Sequence, residues 1–263
     1  MASAKKRFGQ NFLIDPRKAD GLVAALDIAE SDTIVEVGPG TGVLSERILI
    51  KGARLISVEL DKDLIGPLRV KFDDNANFKL IEGDIIKFNP GQFAPHDFKL
   101  IGNLPYNISG AMIEWLINYH DMVRLAIITV QKEVAMRLRA SPGSRDYGSL
   151  SVMVQSFFDI KRLFDIPPGC FSPKPKVYST ALSLTPNKKI PDDIEYPRFR
   201  DFLRACFARK RKTLVNSLGA ADELAMNRTR VDKVLADLGF RPDIRAEQLT
   251  LSDFLKLYSI IGL

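Results

Sequence analysis

Apolar positions recur along this chain in two rhythms. Through the first two thirds, short apolar runs alternate with stretches at helical spacing. Thr33 to Val37 (TIVEV), Arg54 to Leu60 (RLISVEL), a short run through Leu80-Ile81, Lys99 to Gly102 (KLIG) and Leu125 to Val130 (LAIITV) read as strands. Residues 16–28, 43–49 and 134–138 read as helices, the first opened by Asp15-Pro16, an N-cap acid with proline at the first helical position. Strands alternating with helices predict a parallel sheet covered by helices. Leu150 to Phe158 and Tyr178 to Leu184 are expected to be two more strands. From Thr185 the composition shifts. Residues 186–193 (PNKKIPDD) read as a linker, and 196–263 as short helices without strand alternation. The expected division is therefore a domain over 1–185, with an N-terminal arm at 1–15, and a helical domain over 186–263.

The strand ends carry the chemistry. After TIVEV comes Gly38-Pro39-Gly40-Thr41-Gly42, a tight glycine turn leading into a helix, as in the nucleotide-binding half of a doubly wound fold. Gly38 and Gly40 let a ligand approach the backbone. A dinucleotide fingerprint needs a third glycine at 43, where Val43 stands; the G-x-G-x-G spacing points instead to S-adenosylmethionine (SAM). Glu59 ends the second strand, where an acid binds ribose hydroxyls; the alternative is a surface acid. Asp61 and Asp63 follow it and read as helix caps. At the third strand end, Asp84 suits an adenine amine and Ile85 the ring face, unless Asp84 is only a turn residue.

The fourth strand end reads Asn103-Leu104-Pro105-Tyr106. Asn103 offers an amide oxygen. Pro105 keeps Leu104 out of the helical region, which holds the Leu104 carbonyl in a fixed direction. Tyr106 adds a flat amphipathic ring. Two acceptors and a stacking face suit a planar base with an exocyclic amine, the chemistry of methylation at adenine N6. Four such strand ends in succession obey the rule that ligands sit outside the carboxyl ends of parallel strands.

Composition narrows the picture. The 263 residues are 46% hydrophobic and 27% charged, which are globular values, and the net charge of +6 permits a nucleic-acid partner. Cys170 and Cys206 are far apart and read as free thiols of a reducing, cytoplasmic compartment. Only His96 and His120 are present, which argues against a histidine-ligated metal or a serine-histidine triad; no metal is expected. No apolar run approaches the roughly 18 residues of a membrane span, and the basic start lacks the apolar core of a secretory signal. In the arm KKRFGQNFLID, the triplet Lys5-Lys6-Arg7 suits phosphate or solvent, and Phe8, Phe12 and Leu13 are expected to dock on something.

Two further segments bear on a polymer substrate. The proline-rich stretch Pro167 to Lys176 presents Phe171, either a second aromatic wall or a core residue, with Lys174 and Lys176 facing phosphate or solvent. Arg209-Lys210-Arg211-Lys212 belongs to the densest basic run. Arg200, Arg204 and Arg211 would share a helix face there; such runs are commonly solvated faces, but beside a base-binding site a nucleic-acid backbone is the expected partner.

Taken together, KKRFGQNFLID, VEVGPGTG, VELD, EGDI, GNLPYNIS, VQKEVAMRL, YGSLSVMVQ, FSPKPKV and RKRKTLVNSL resemble the ribosomal RNA adenine dimethyltransferases of the KsgA/RsmA family, over nearly the whole chain. The resemblance implies a SAM-dependent methyltransferase with a Rossmann-like seven-strand sheet, one strand antiparallel, and a small helical C-terminal domain. It implies two methyl groups on each of two adjacent adenosines, in the hairpin near the 3′ end of 16S ribosomal RNA, and a part in small-subunit biogenesis. Carried over by motif, Asn11, Leu13, Gly38, Glu59, Asp84 and Asn103 line the SAM site, and Asn103, Leu104, Tyr106 and Phe171 hold the base. A monomer is expected. The rival readings are a DNA adenine methyltransferase, which would want a sizeable sequence-reading domain, a ribosome-assembly factor with incidental catalysis, and a nicotinamide dehydrogenase, which Val43 disfavours.

Overall fold

A computed structural model describes residues 10–94, 97–187, 189–191, 193–219 and 228–261. Lys5 to Phe8 and His96 lie outside the described residues. The described chain divides into two compact units, residues 1–135 with 159–186 and residues 136–158 with 187–263. The chain thus passes between units at 186, next to the expected division, and residues 136–158 group with the helical unit.

The first unit opens with a two-residue strand, β1 (Phe12–Leu13), and α1 (Pro16–Ala24). Asp15 caps α1 by accepting the Lys18 N–H at 3.0 Å. Then come β2 (Thr33–Val37), α2 (Val43–Leu49), β3 (Arg54–Glu59), α3 (Lys62–Phe72) and β4 (Phe78–Glu82). They are followed by β5 (Phe98–Asn103), α4 (Ser109–Asn118), β6 (Val123–Gln131) and α5 (Lys132–Leu138), whose last residues enter the second unit. The first unit is completed by β7 (Phe158–Ile166), β8 (Phe171–Ser172) and β9 (Ser179–Pro186).

Seven strands form one sheet in the order β4-β3-β2-β5-β6-β9-β7. The pairs from β4 to β6 are parallel, and β6 with β9 is antiparallel. In register, Val37 stands opposite both Val58 and Gly102, Glu59 opposite Glu82, and Asn103 opposite Thr129. The four carboxyl ends are therefore level, so their terminal residues reach one place. Leu22, Leu26, Ile48, Leu55, Ile101 and Ile127 are fully buried between helices and sheet; each such side chain is worth about 1.5–3 kcal/mol over an exposed one.

Two elements depart from the sequence reading. Leu150 to Phe158, expected as a strand, is mostly the helix α6 (Ser149–Phe157). Its apolar run is buried almost all round, and periodicity cannot separate a buried helix from a buried strand. Ser151 decides locally: its hydroxyl accepts the Gly148 N–H at 3.1 Å and donates to the Arg137 carbonyl at 2.6 Å. The strand comes after it, as β7. The second departure is a separate two-stranded sheet, in which β1 pairs antiparallel with β8, Leu13 opposite Phe171.

The second unit is helical beyond α6: α7 (Tyr196–Phe207), α8 (Leu214–Leu218), α9 (Arg228–Asp237) and α10 (Leu251–Ile261). Phe199, Phe202 and Tyr258 form its aromatic centre, with the Phe199 and Tyr258 rings 5.3 Å apart edge to face. No helix among the described residues is long and apolar enough to cross a membrane.

Candidate active site

The level ends of β2 to β5 open on one cavity of about 950 Å³, its open mouth included. It is lined by Gly38 and Gly40 after β2, Glu59 at the end of β3, Asp84 and Ile85 after β4, and Asn103, Leu104 and Tyr106 after β5. Asn11 reaches it from the N-terminal arm.

The glycine turn is required by its backbone. Gly38 and Gly40 have φ of 61° and 59°, the left-handed region that a side chain makes costly. A Cβ on Gly40 would also stand 2.9 Å from the Phe12 ring. Gly42, φ 79°, caps α2, and a Cβ there would come within 2.6 Å of the Phe72 ring. This close approach of α3, on a left-handed backbone, explains the glycine at 42. Glu36 in β2 lies behind the turn, 1% exposed. It accepts the Ser45 and Ser57 hydroxyls at 2.7 and 2.6 Å, tying the first turn of α2 to the sheet. Burial above all, with the Glu59 charge adding to it, pushes its pKa up to about 7 against those hydroxyls.

Glu59 is 5% exposed. One carboxylate oxygen accepts the Gly40 N–H at 3.2 Å and the other the Asp61 N–H at 2.9 Å. Burial raises its pKa, opposed by these two donors. Each oxygen keeps a lone pair, so a vicinal diol at the cavity fits as a third and fourth donor. Asp84 accepts the Ile86 N–H at 3.0 Å through Oδ1 and caps a 3-10 turn at the cavity wall; turn residue and wall residue are the same here. Ile85 is buried beside it.

Asn103 ends β5. Its Nδ2 donates to the Asn11 carbonyl at 2.8 Å. A carbonyl only accepts, so this contact turns the amide and frees Oδ1 as an acceptor. The Leu104 N–H donates to the Thr129 carbonyl at 3.1 Å, and the Leu104 side chain is buried; what Leu104 can offer a ligand is its main chain. Tyr106 begins a 3-10 turn ahead of α4, and its hydroxyl is hydrogen bonded to the Ser179 hydroxyl at 2.9 Å.

Two expected residues are not brought to this cavity. Phe171 is 3% exposed and belongs to the hydrophobic core, held there by the pairing of β8 with β1. Of its two readings, core residue is the one this structure shows. Leu13, its partner, is likewise buried; it lines a smaller cavity that shares Phe12, Gly38, Gly40 and Asn103 with the main one. In exchange, Gln10 and Phe12 line the main cavity. Apolar residues in a polar arm were the signal for docking, but not for which one faces the ligand. Asp61 caps α3 as expected and also lines the cavity, with Gln10 Nε2 donating to it at 3.1 Å.

In the second unit, Arg209, Lys210, Arg211 and Lys212 are all exposed. They form a turn between α7 and α8, closed by the Lys212 N–H on the Arg209 carbonyl at 2.9 Å. Arg211 is therefore off the helix that carries Arg200 and Arg204, and the expected shared face does not form. The turn instead brings Arg209 and Lys212 together with Asn216 and Arg228 around one hollow. Arg228 and Asn216 carried no sequence signal for this.

A family model described as ribosomal RNA adenine dimethylase matches residues 1–261. A ribosomal RNA small subunit methyltransferase A of Syntrophotalea carbinolica is 40% identical over 98% of this chain and 96% of its own length. One of Pseudomonas putida is 40% identical over 97% of this chain and 93% of its own. Among solved structures, a dimethyladenosine transferase from Plasmodium falciparum superposes with a TM-score of 0.80, at 26% identity, covering 96% of this chain and 98% of the other. The 23S rRNA methyltransferase ErmE shares the fold, with a TM-score of 0.71 at 22% identity, over 96% of this chain and all of its own. With the family model matched over nearly the whole chain and relatives 40% identical along their length, this chain belongs to the ribosomal RNA adenine dimethylases.

Proposed function

We propose that this chain transfers methyl groups from SAM to adenine N6 in ribosomal RNA, twice per base, on two adjacent adenosines of the hairpin near the 3′ end of the 16S RNA. The observation that carries the reading is the oriented Asn103 amide at the mouth of a cavity with a nucleoside-type wall.

The residues fit SAM. The glycine turn leaves the backbone bare, Glu59 keeps two lone pairs for ribose hydroxyls, Asp84 and Ile85 suit the adenine, and Asn103 stands between cofactor and base. When bound, SAM supplies an electrophilic methyl group. The chain's own part lies with the amine. The N6 lone pair is delocalised into the adenine ring and is a poor nucleophile. Asn103 Oδ1 and the Leu104 carbonyl accept from N6–H, which favours a tetrahedral nitrogen and stabilises the positive charge developing on it. The methyl–sulfur bond breaks as the N6–methyl bond forms, and the cationic amine, now strongly acidic, gives its surplus proton to water; no group of high pKa is needed as a base, in keeping with the two histidines of the sequence. The Tyr106 ring, fixed through Ser179, takes the place of a stacking partner for the extruded adenosine. The second methylation presents one N–H fewer, so one of the two acceptors must be dispensable in that step.

Arg209, Lys210, Arg211 and Lys212, joined by Arg228, meet RNA phosphates within the small subunit, and the protein acts as a monomer in the cytoplasm. The test is transfer of labelled methyl from SAM to small subunits lacking these modifications, followed by nucleoside analysis. Dimethyladenosine is the expected product; no incorporation while the subunit is bound would contradict the reading and favour an assembly factor.

A further inference from the structure

Tyr178 is half exposed at 50%, one residue before the serine that holds the Tyr106 ring. Its place is fixed: the Lys132 N–H donates to the Tyr178 carbonyl at 2.9 Å, and Gln131 stands opposite Ser179 where β9 begins. Successive side chains of an extended chain point to opposite sides. Ser179 turns inward to Tyr106, and Tyr178 turns outward to solvent.

Cations gather at this spot. The Lys132 ammonium lies 5.8 Å from the Tyr178 ring centre and 3.2 Å from the Asp165 carboxylate. Arg162 pairs with the same carboxylate at 3.0 Å, and Lys18 donates to the Asp165 main-chain carbonyl at 3.1 Å. Arg162 foremost holds Asp165 well below the usual carboxylate range, so the acid is ionised and keeps its neighbours in place. Two cations on one carboxylate, with a third on the main-chain carbonyl of the same residue, leave positive charge in excess beside a half-exposed aromatic ring. A ring with adjoining cations matches an unstacked base and its phosphate.

We propose that Tyr178 is a stacking platform, outside the cavity, for the nucleotide adjoining the target adenosine, with Lys132 and Arg162 facing that nucleotide's phosphate. The inference rests on the adenosine-methylation reading. Taking one adenosine into the cavity leaves its neighbour without a stacking partner on that side. Where two adjacent adenosines are both substrates, the waiting base needs a holding place one nucleotide from the cavity. The Tyr178-Ser179 step supplies one, Ser179 bracing the inner ring while Tyr178 offers the outer one.

The test compares wild type, Tyr178→Ala and Tyr178→Phe, each as the full chain, on small subunits lacking the modifications, with SAM affinity measured separately by calorimetry. Tyr178→Ala is expected to raise KM for the subunit roughly ten-fold, the size of one lost base stack, with kcat and SAM affinity at wild-type values. Tyr178→Phe keeps the ring and should restore KM. A wild-type KM in Tyr178→Ala, or a Phe variant no better than the Ala one, would overturn the platform. Silence of all three proteins would instead remove the adenosine-methylation reading, a result the variants cannot imitate.

Discussion

Asn103 at the end of β5 donates its side-chain amide to the main-chain carbonyl of Asn11, 2.8 Å away. The contact joins the Asn-Leu-Pro-Tyr corner to the N-terminal arm. It also decides which atom of the amide a ligand meets, because Oδ1 is the one left over. The arm is thereby part of the acceptor system, although no Asn11 side chain is needed for this. Behind the pair, the Thr129 carbonyl holds the Leu104 N–H, so Leu104 is anchored by the sheet and the Asn103 amide by the arm.

Gly40 tests the cradle. Gly40→Ala places a Cβ 2.9 Å from the Phe12 ring on a backbone at φ 59°. The left-handed conformation alone costs about 1–2 kcal/mol for a side chain. Phe12 would be displaced from the cavity wall. SAM affinity by calorimetry is expected to fall at least ten-fold; unchanged affinity would mean that the turn is not part of the cofactor site.

Glu36 gives a pH signature. Its pKa in the folded chain is about 7, above the ordinary 4.5, so the folded state holds the proton more tightly than the unfolded one. The stabilisation is complete below pH 4.5 and is lost as pH rises to about 7. Over that window the chain should lose about 2–4 kcal/mol of stability. Glu59, raised for the same reason, acts in the same direction. Urea midpoints between pH 5 and 8 should decline in the wild type and much less in Glu36→Gln. Parallel declines would take Glu36 out of the effect.

Phe171 separates two readings of one residue. As a core side chain, Phe171→Ala should cost about 3–5 kcal/mol of stability. As a base wall it would leave stability alone and raise KM for RNA. Chemical denaturation beside a kinetic assay distinguishes them; the buried ring here calls for the first.

The basic turn is tested by charge reversal. Arg209, Lys210, Arg211 and Lys212 changed together to Glu should weaken RNA binding and flatten its dependence on salt, since each phosphate contact contributes to the slope. An unaltered slope would return the run to solvent.

Most of the site was readable from the chain because its parts are local. Gly38, Glu59, Asp84 and Asn103 each stand at or just past the end of a short apolar strand, and parallel strands put such ends in one place. What could not be read depends on distant pairing. Two-residue strands have no periodicity, so the β1–β8 contact that buries Leu13 and Phe171 leaves no pattern in the sequence. The helix α6 was obscured for a different reason, burial on nearly every side. Arg228, at the start of α9, meets Arg209 and Lys212 at the basic hollow through tertiary packing that leaves no local pattern. The N-terminal arm shows the same limit on a smaller scale. Its apolar residues marked it as docked, yet only the fold shows Phe12 against Gly40 and Leu13 turned into the core.

The central claim is that Asn103 Oδ1 activates the adenine amine. The most direct measurement is labelled-methyl transfer to unmethylated small subunits by wild type and Asn103→Ala, with SAM affinity measured alongside. Losing one preorganised acceptor of this kind costs about 3–4 kcal/mol. Dimethyladenosine should therefore form at least 100-fold more slowly in the variant while SAM binds within a few-fold of wild type. Wild-type turnover by Asn103→Ala would contradict the acceptor mechanism outright.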